Sequence, residues 1–299
     1  MPFPSVPMKS ITELSRKMAG FGSLFTIVCH AMAASLPGDV DALAERTRRE
    51  FNIPGISVAI VKAGQAVVVK GYGVRQAGES APVDSETLFN IGSNTKAFTV
   101  AALAALVEEG RLDWDDPVTR HLPGFQMYDA WVTREMTVRD LLSHRSGLGL
   151  GAGDLLWWPE TGFSREEIVA RQRFIKPATS FRSRFAYENC LYIVAGQLVQ
   201  AIAGKTWEDV VRERLLAPLG MKHSSLGREA LTGVGNKALP HVQAGQQLKT
   251  VAFGNHSNFA PAGGINSCAA DMARWVTALL EAAKASPGPG FGDRCARQP

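Results

Sequence analysis

A chain of 299 residues with 45% hydrophobic and 20% charged side chains has the material for a sizeable core, which excludes global disorder. Its formal charge of +4 is scattered rather than gathered into a basic stripe, so the electrostatic footprint of a nucleic-acid binder is missing. No heptads, no fixed-period repeat and no apolar run of the ~18 residues a membrane span needs are present.

The first 33 residues read as an export signal. Lys9, Arg16 and Lys17 form a basic start, residues 21–28 an apolar stretch, and Ala31-Met32-Ala33 the small-x-small pattern before a cut at Ala34. A frayed N-terminal helix is the alternative, because Glu13, Cys29 and His30 are unusual in a signal. The expectation is an exported protein, periplasmic or secreted, with residues 34–283 as the folded domain and 284–299 as an irregular Pro/Gly-rich tail. Once the signal is removed, no transmembrane span is expected. Cys190, Cys268 and Cys295 then remain, an odd number without C-x-x-C spacing, so Cys190 and Cys268 are read as core residues rather than disulfide or zinc partners.

Residues 41–51 predict an amphipathic helix, closed by Asn52 and Pro54. Residues 56–61 and 66–70 are β-rich runs joined by Lys62-Ala63-Gly64-Gln65, which predicts a hairpin. Residues 95–109 are almost all Ala, Leu, Val, Phe and Thr, and Gly110 stands where a C-cap belongs. A helix apolar on nearly every face is a buried one, and Ser93 sits at its N-terminal edge. Further helices are predicted over 137–142, from Ser164 with Glu167 as a capping box, over 191–203 ending at Gly204, over 206–215, and over 267–282. Strands therefore lead and helices follow, an α+β order in which only two strands are evident. Because a two-stranded sheet is marginal alone, further strands are expected to be missing at the C-terminal end.

The chemistry-bearing residues begin with Ser93-Asn94-Thr95-Lys96. Positions i and i+3 share a helix face, so the two outer side chains can meet. A serine hydroxyl needs a base to take its proton, and a lysine serves when burial or a neighbouring charge destabilises its ammonium. Taken alone the pattern is weak, and an N-cap serine followed by a surface lysine explains it equally. Tyr187-Glu188-Asn189 lies some ninety residues on, just before another helix. A tyrosine beside an ammonium is expected to have a lowered pKa and share the proton traffic, and the amide to hold a substrate amide. A core tyrosine with a helix-capping asparagine is the plainer reading.

Together the S-x-x-K and Y-x-N motifs resemble those of the serine β-lactamases and penicillin-binding proteins: the class C β-lactamases and the related D-alanyl-D-alanine peptidases, D-aminopeptidases and β-lactamase-type esterases. Supporting segments are Phe51-Asn52-Ile53-Pro54-Gly55, Leu141-Leu142-Ser143-His144-Arg145-Ser146-Gly147-Leu148, Pro218-Leu219-Gly220-Met221 and Pro261-Ala262-Gly263-Gly264. The resemblance runs from about Leu43 to about Glu281. It implies a β-lactamase/transpeptidase-like α+β fold, with an antiparallel sheet flanked by a helical lobe. It also implies an acyl-enzyme mechanism on an amide, ester or β-lactam, with Ser93 as nucleophile, Lys96 and Tyr187 moving protons jointly and Asn189 contacting the acyl side chain. A small-molecule or peptide substrate and no cofactor or metal follow, with a lean toward peptidase or esterase; the oligomeric state is left open.

Family members also carry K-T-G or H-x-G on a strand lining the site, and neither occurs here in that position. Lys62-Ala63-Gly64 precedes Ser93, and Gly204-Lys205-Thr206-Trp207 lies between two helices with tryptophan in place of the glycine. The chain is therefore expected to be truncated at its C-terminus and weak in turnover, since a single lost oxyanion donor costs ~10²–10³ in rate. A non-catalytic remnant or binding protein is the alternative. Gly147-Leu148-Gly149-Leu150-Gly151-Ala152 follows a helix and turn instead of a strand, which fails the dinucleotide context and leaves a glycine-rich loop beside the site. No G-x-S-x-G or H-E-x-x-H is present. Ser143, His144 and Ser146 are read as structural. Trp157 and Trp158 are an aromatic wall or packing, and Arg182 and Arg184 carboxylate binders or exposed cations.

Overall fold

The computed structural model describes residues 39–254 and 257–285; the predicted export signal and the residues beyond 285 lie outside the described residues. Helix α1 (Val40–Glu50) starts at Asp39, whose carboxylate accepts from Ala42 N at 2.8 Å, and ends with Arg48 and Arg49 in its last turn, where cations suit the helix dipole. Strands β1 (Gly55–Lys62) and β2 (Gln65–Gly73) pair antiparallel around Ala63-Gly64. Both turn residues have positive φ, 53° and 83°, as a two-residue hairpin loop demands. Lys70 and Tyr72 of β2 both reach Asp41, at 2.9 and 2.7 Å, and tie the hairpin to α1.

The helices follow in the predicted order. Between α2 (Thr95–Glu108) and α3 (Val138–Leu142) stand two short helices that the sequence did not announce, Val118–His121 and Ala130–Glu135. α3 and then α4 (Arg165–Arg171) are each opened by a reciprocal capping box, Thr137 with Asp140 and Ser164 with Glu167. α5 (Cys190–Ala203) stops at Gly204 in the left-handed conformation, and α6 (Trp207–Val211) runs on into a π-helical turn, Arg212–Leu216. After α7 (Ala260–Gly263), α8 (Ala269–Ala285) packs along β1 and β2 and covers the hairpin.

The expectation of only two strands is corrected. β3 (Phe89–Asn90), β4 (Ser225–Leu226) and β7 (Ile265–Ser267) form a second antiparallel sheet in the order β3-β7-β4, and β5 (His241–Ala244) and β6 (Gln247–Thr250) make a further hairpin. Strands of two to four residues are too short to show alternation, and Phe89 pairs with Ser267 across most of the domain, so no local pattern announces them. The result is α+β with antiparallel sheets beside a helical lobe.

The core lies between α2 and α5. Trp207, Tyr192 and Phe98 are among its largest fully buried side chains, and Phe98 stacks on Trp275 of α8 at 4.1 Å. α2 is buried, as its nearly all-apolar sequence predicts, and its few polar side chains bind the segment 260–265. Thr95 Oγ1 accepts from Ile265 N at 3.1 Å, Lys96 Nζ donates to Ala262 O at 2.9 Å, and Thr99 Oγ1 donates to Pro261 O at 2.7 Å. Gly196 of α5 lets that segment approach, because a Cβ there would lie 2.3 Å from the Pro261 ring. Gly196→Ala is expected to cost about 1–3 kcal/mol through overpacking, read as a lowered urea midpoint with unchanged m.

Candidate active site

Ser93 lies in a single 3₁₀ turn, Gly92–Asn94, that leads directly into α2. Its side chain is exposed, whereas Lys96 one turn on is only 2% exposed. Lys96 Nζ donates to three oxygens: Asn189 Oδ1 at 2.8 Å, Ala262 O at 2.9 Å and Ser93 Oγ at 3.2 Å. Tyr187 OH donates to the same Ser93 Oγ at 2.6 Å. The structure thus brings together all four residues that the sequence singled out, drawn from two segments about ninety residues apart.

Burial pulls the Lys96 pKa down to about 8, against the opposing charges of Glu188 and Asp154. A neutral amine keeps two N–H donors and gains a lone pair. The two shorter bonds, to Asn189 and Ala262, can hold those donors, which leaves the lone pair for the Ser93 hydroxyl. Lys96 Nζ also lies 4.9 Å from the centre of the Tyr187 ring and 5.3 Å from that of Tyr192.

The expectation of a lowered Tyr187 pKa is corrected: it is raised, by burial first, with the Ser93 hydrogen bond pulling the other way. Lys96 has lost its charge before the phenol would ionise, so no cation is left to help, and Asp154 and Glu188 oppose a second anion. Tyr187 thus stays a proton donor, and Lys96 becomes a proton acceptor as the pH rises through about 8.

Asn189 occupies the N-cap position of α5 but makes no capping bond. Its Oδ1 accepts a hydrogen bond from Lys96 Nζ, and its Nδ2 donates to Asp154 Oδ1 at 3.1 Å and Oδ2 at 3.4 Å. Capping falls to the neighbouring Glu188, fully buried, whose Oε2 accepts from Leu191 N at 3.0 Å. Burial raises the Glu188 carboxyl to about 8, opposed by the Leu191 N–H and by Lys96. Asp154 was missed in the sequence because it acts through a tertiary contact with no motif of its own; Glu188 and Ala262 lie inside segments that the sequence singled out, but no role was read for either.

The other candidates resolve as follows. His144 is buried beside the Tyr187 ring, 4.5 Å between centres, and its Nδ1 accepts from Glu188 N at 3.3 Å. Burial and the Lys96 charge bring its pKa down to about 4, which leaves it neutral, and Ser143 and Ser146 bond elsewhere, so no Ser-His pair forms. Arg182 is committed to Asp140 through two hydrogen bonds of 2.9 and 2.6 Å. Trp157 packs, stacked on Phe259 at 3.8 Å, while Trp158 is exposed. The glycine-rich loop does border the site, with Gly151 N donating to Tyr187 O at 3.0 Å. Cys190 and Cys268 are buried free thiols, and among the described residues no three His, Cys, Asp or Glu side chains gather as metal ligands.

A family model described as Beta-lactamase matches residues 40–290. The chain is 33% identical over 260 residues to an unguisins hydrolase of Aspergillus campestris, a match covering 83% of this chain and 48% of that protein. It thus spans about half the length of that curated relative. Among solved structures, the octameric penicillin-binding protein homologue from Pyrococcus abyssi superposes with a TM-score of 0.70 at 28% identity, covering 80% of this chain and 55% of that one. The D-amino acid amidase from Ochrobactrum anthropi SV3 superposes with a TM-score of 0.69 at 25% identity, covering 82% and 70%.

Proposed function

This chain belongs to the Beta-lactamase family, and on that premise we propose that it is an exported serine hydrolase that works through an acyl-enzyme on Ser93. The observation that carries the reading is Ser93 Oγ held between Lys96 Nζ at 3.2 Å and Tyr187 OH at 2.6 Å. Ser93 attacks the carbonyl carbon as its proton passes to neutral Lys96. As the tetrahedral adduct collapses, Tyr187 gives its proton to the departing nitrogen or oxygen and regains one from Lys96. Water then attacks the acyl-enzyme and releases the acid, and Ser93 recovers its proton. Asn189 holds Lys96 in line and is the group we assign to the acyl side chain of the substrate.

The substrate is an amide or ester of a small molecule or peptide, with β-lactams as further acylating agents. Similarity to a D-amino acid amidase supports an amide bond as the target.

Incubation with benzylpenicillin and, separately, with activated esters of N-acyl amino acids tests the proposal by intact mass and peptide mapping. An adduct confined to Ser93 and absent from Ser93→Ala is the expected result. A folded protein that takes no adduct would favour the non-catalytic reading instead. Tyr187→Phe, which keeps the ring but removes the donor, is expected to slow acylation by about 10²-fold, measured as the rate of adduct formation.

A further inference from the structure

We infer that Asp154 is a positioning residue for the Ser93–Lys96 pair, its carboxylate fixing the Asn189 amide so that the carbonyl oxygen, and not the NH₂, faces Lys96 Nζ. The inference rests on the hydrolase reading for its consequence in rate and on geometry for its substance. An amide can turn over about its last bond, and its two ends differ in sign toward an amine. With the oxygen inward, Asn189 accepts from Lys96 at 2.8 Å; with the nitrogen inward, two donors would meet. Asp154 decides between these, because a carboxylate accepts only and both its oxygens lie within reach of Asn189 Nδ2, at 3.1 and 3.4 Å.

The carboxylate is itself held from several sides. Trp157 Nε1 donates to Asp154 Oδ1 at 3.0 Å, and that indole is stacked on Phe259, whose ring lies 5.8 Å from Lys96 Nζ. The loop carrying Asp154 is stitched to the Tyr187-to-Cys190 segment at two further points. Gly151 N donates to Tyr187 O at 3.0 Å, and Cys190 Sγ donates to Gly153 O at 3.2 Å. Gly153 has φ of 84°, and a Cβ there would lie 2.7 Å from Ile175 and 2.8 Å from Cys190 Sγ, so the loop can sit this close only with glycine at that position. The glycine-rich stretch thereby acquires a purpose, which is to bring one acid against the back of Asn189.

The charge of Asp154 also bears on Lys96. The groups facing this amine are Ser93, Tyr187 and Tyr192, the Asn189 and Ala262 oxygens, the buried acid Glu188, and neutral His144 beyond the Tyr187 ring. Asp154 and Glu188 both favour the protonated amine. Removing the Asp154 charge therefore lowers the Lys96 pKa and makes more of the amine neutral near pH 7.

Two variants separate orientation from charge. Asp154→Asn keeps an oxygen where Oδ1 stands, for both Asn189 and Trp157, but removes the charge. Asp154→Ala removes the acceptor. Lysine labelled with ¹³C at Cε gives the Lys96 titration directly, assigned with Lys96→Met, and a fluorophosphonate gives the reaction rate at Ser93. The expected result is an Asp154→Ala rate down by about 10²-fold, as for other small misplacements of reacting groups. Asp154→Asn should keep a rate within about tenfold of the parent, with its Lys96 titration midpoint moved to lower pH. An Asp154→Ala protein that reacts at the parent rate, or an Asp154→Asn midpoint equal to the parent's, overturns the inference. Should Asp154→Ala fail to fold, the Asp154→Asn titration decides alone. If the parent Ser93 takes no label, the hydrolase reading fails, and the Lys96 midpoints still test the placement of Asp154.

Discussion

Lys96→Met is expected to slow acylation of Ser93 by about 10²–10⁴-fold while leaving the protein folded. Methionine fills the channel that the lysine stem occupies and needs no hydrogen bonds, so the apolar packing along α2 survives. Its cost to stability is the loss of donors to Asn189 Oδ1 and Ala262 O, about 1–3 kcal/mol for each buried acceptor left unpaired. Relief from burying an amine at 2% exposure offsets part of this. Rate and stability should therefore separate, with Ser93 labelling down by orders of magnitude and the denaturation midpoint moved modestly. A variant that labels at the parent rate would remove Lys96 from the chemistry. Lys96→Arg is not a conservative control, because a guanidinium stays protonated and cannot accept the serine proton.

Trp207→Ala is expected to give the largest loss of stability, about 3–5 kcal/mol, a substantial share of what a domain of this kind possesses. The indole is wholly buried, and its Nε1 donates to Thr99 Oγ1 at 3.0 Å. Thr99 in turn donates to Pro261 O, one residue before the carbonyl that binds Lys96. The cavity and the loosened segment then act together, so residual folded protein should also label more slowly at Ser93. Trp207→Phe retains most of the volume and drops only the hydrogen bond, and its urea midpoint should lie between those of the parent and Trp207→Ala. Equal midpoints for Phe and Ala would place the stabilisation in the hydrogen bond rather than in the packing.

Much of the site was legible because it is encoded locally. Ser93 and Lys96 are three residues apart where a helix opens, and Tyr187 and Asn189 stand just before another, but each pattern alone was weak and the resemblance was needed to select them. The meeting of those two segments was supplied by resemblance, since nothing in either segment names the other. Asp154 escaped notice for that reason: it belongs to a glycine-rich stretch whose purpose appears only when Gly153 is seen against Cys190 and Ile175. The Tyr187 pKa was misjudged because burial of the phenol itself, the largest cause of its rise, cannot be read from the neighbouring residues in sequence. In the fold, long elements with caps or a two-residue turn were read closely: residues 41–51 for Val40–Glu50, and 191–203 for Cys190–Ala203. The short strands were not, as β3, β4 and β7 owe their existence to pairing with distant partners rather than to their own side chains.

The most direct test of Ser93 activated by Lys96 is the rate of phosphonylation of Ser93 by a fluorophosphonate as a function of pH. A neutral base is required, so the rate should be low where Lys96 is protonated and rise with pH through an apparent pKa near the value of about 8 that burial imposes, then level off. Ser93→Ala should take no label at any pH. A rate that stays flat through that range, or a label on any residue other than Ser93, would contradict the assignment.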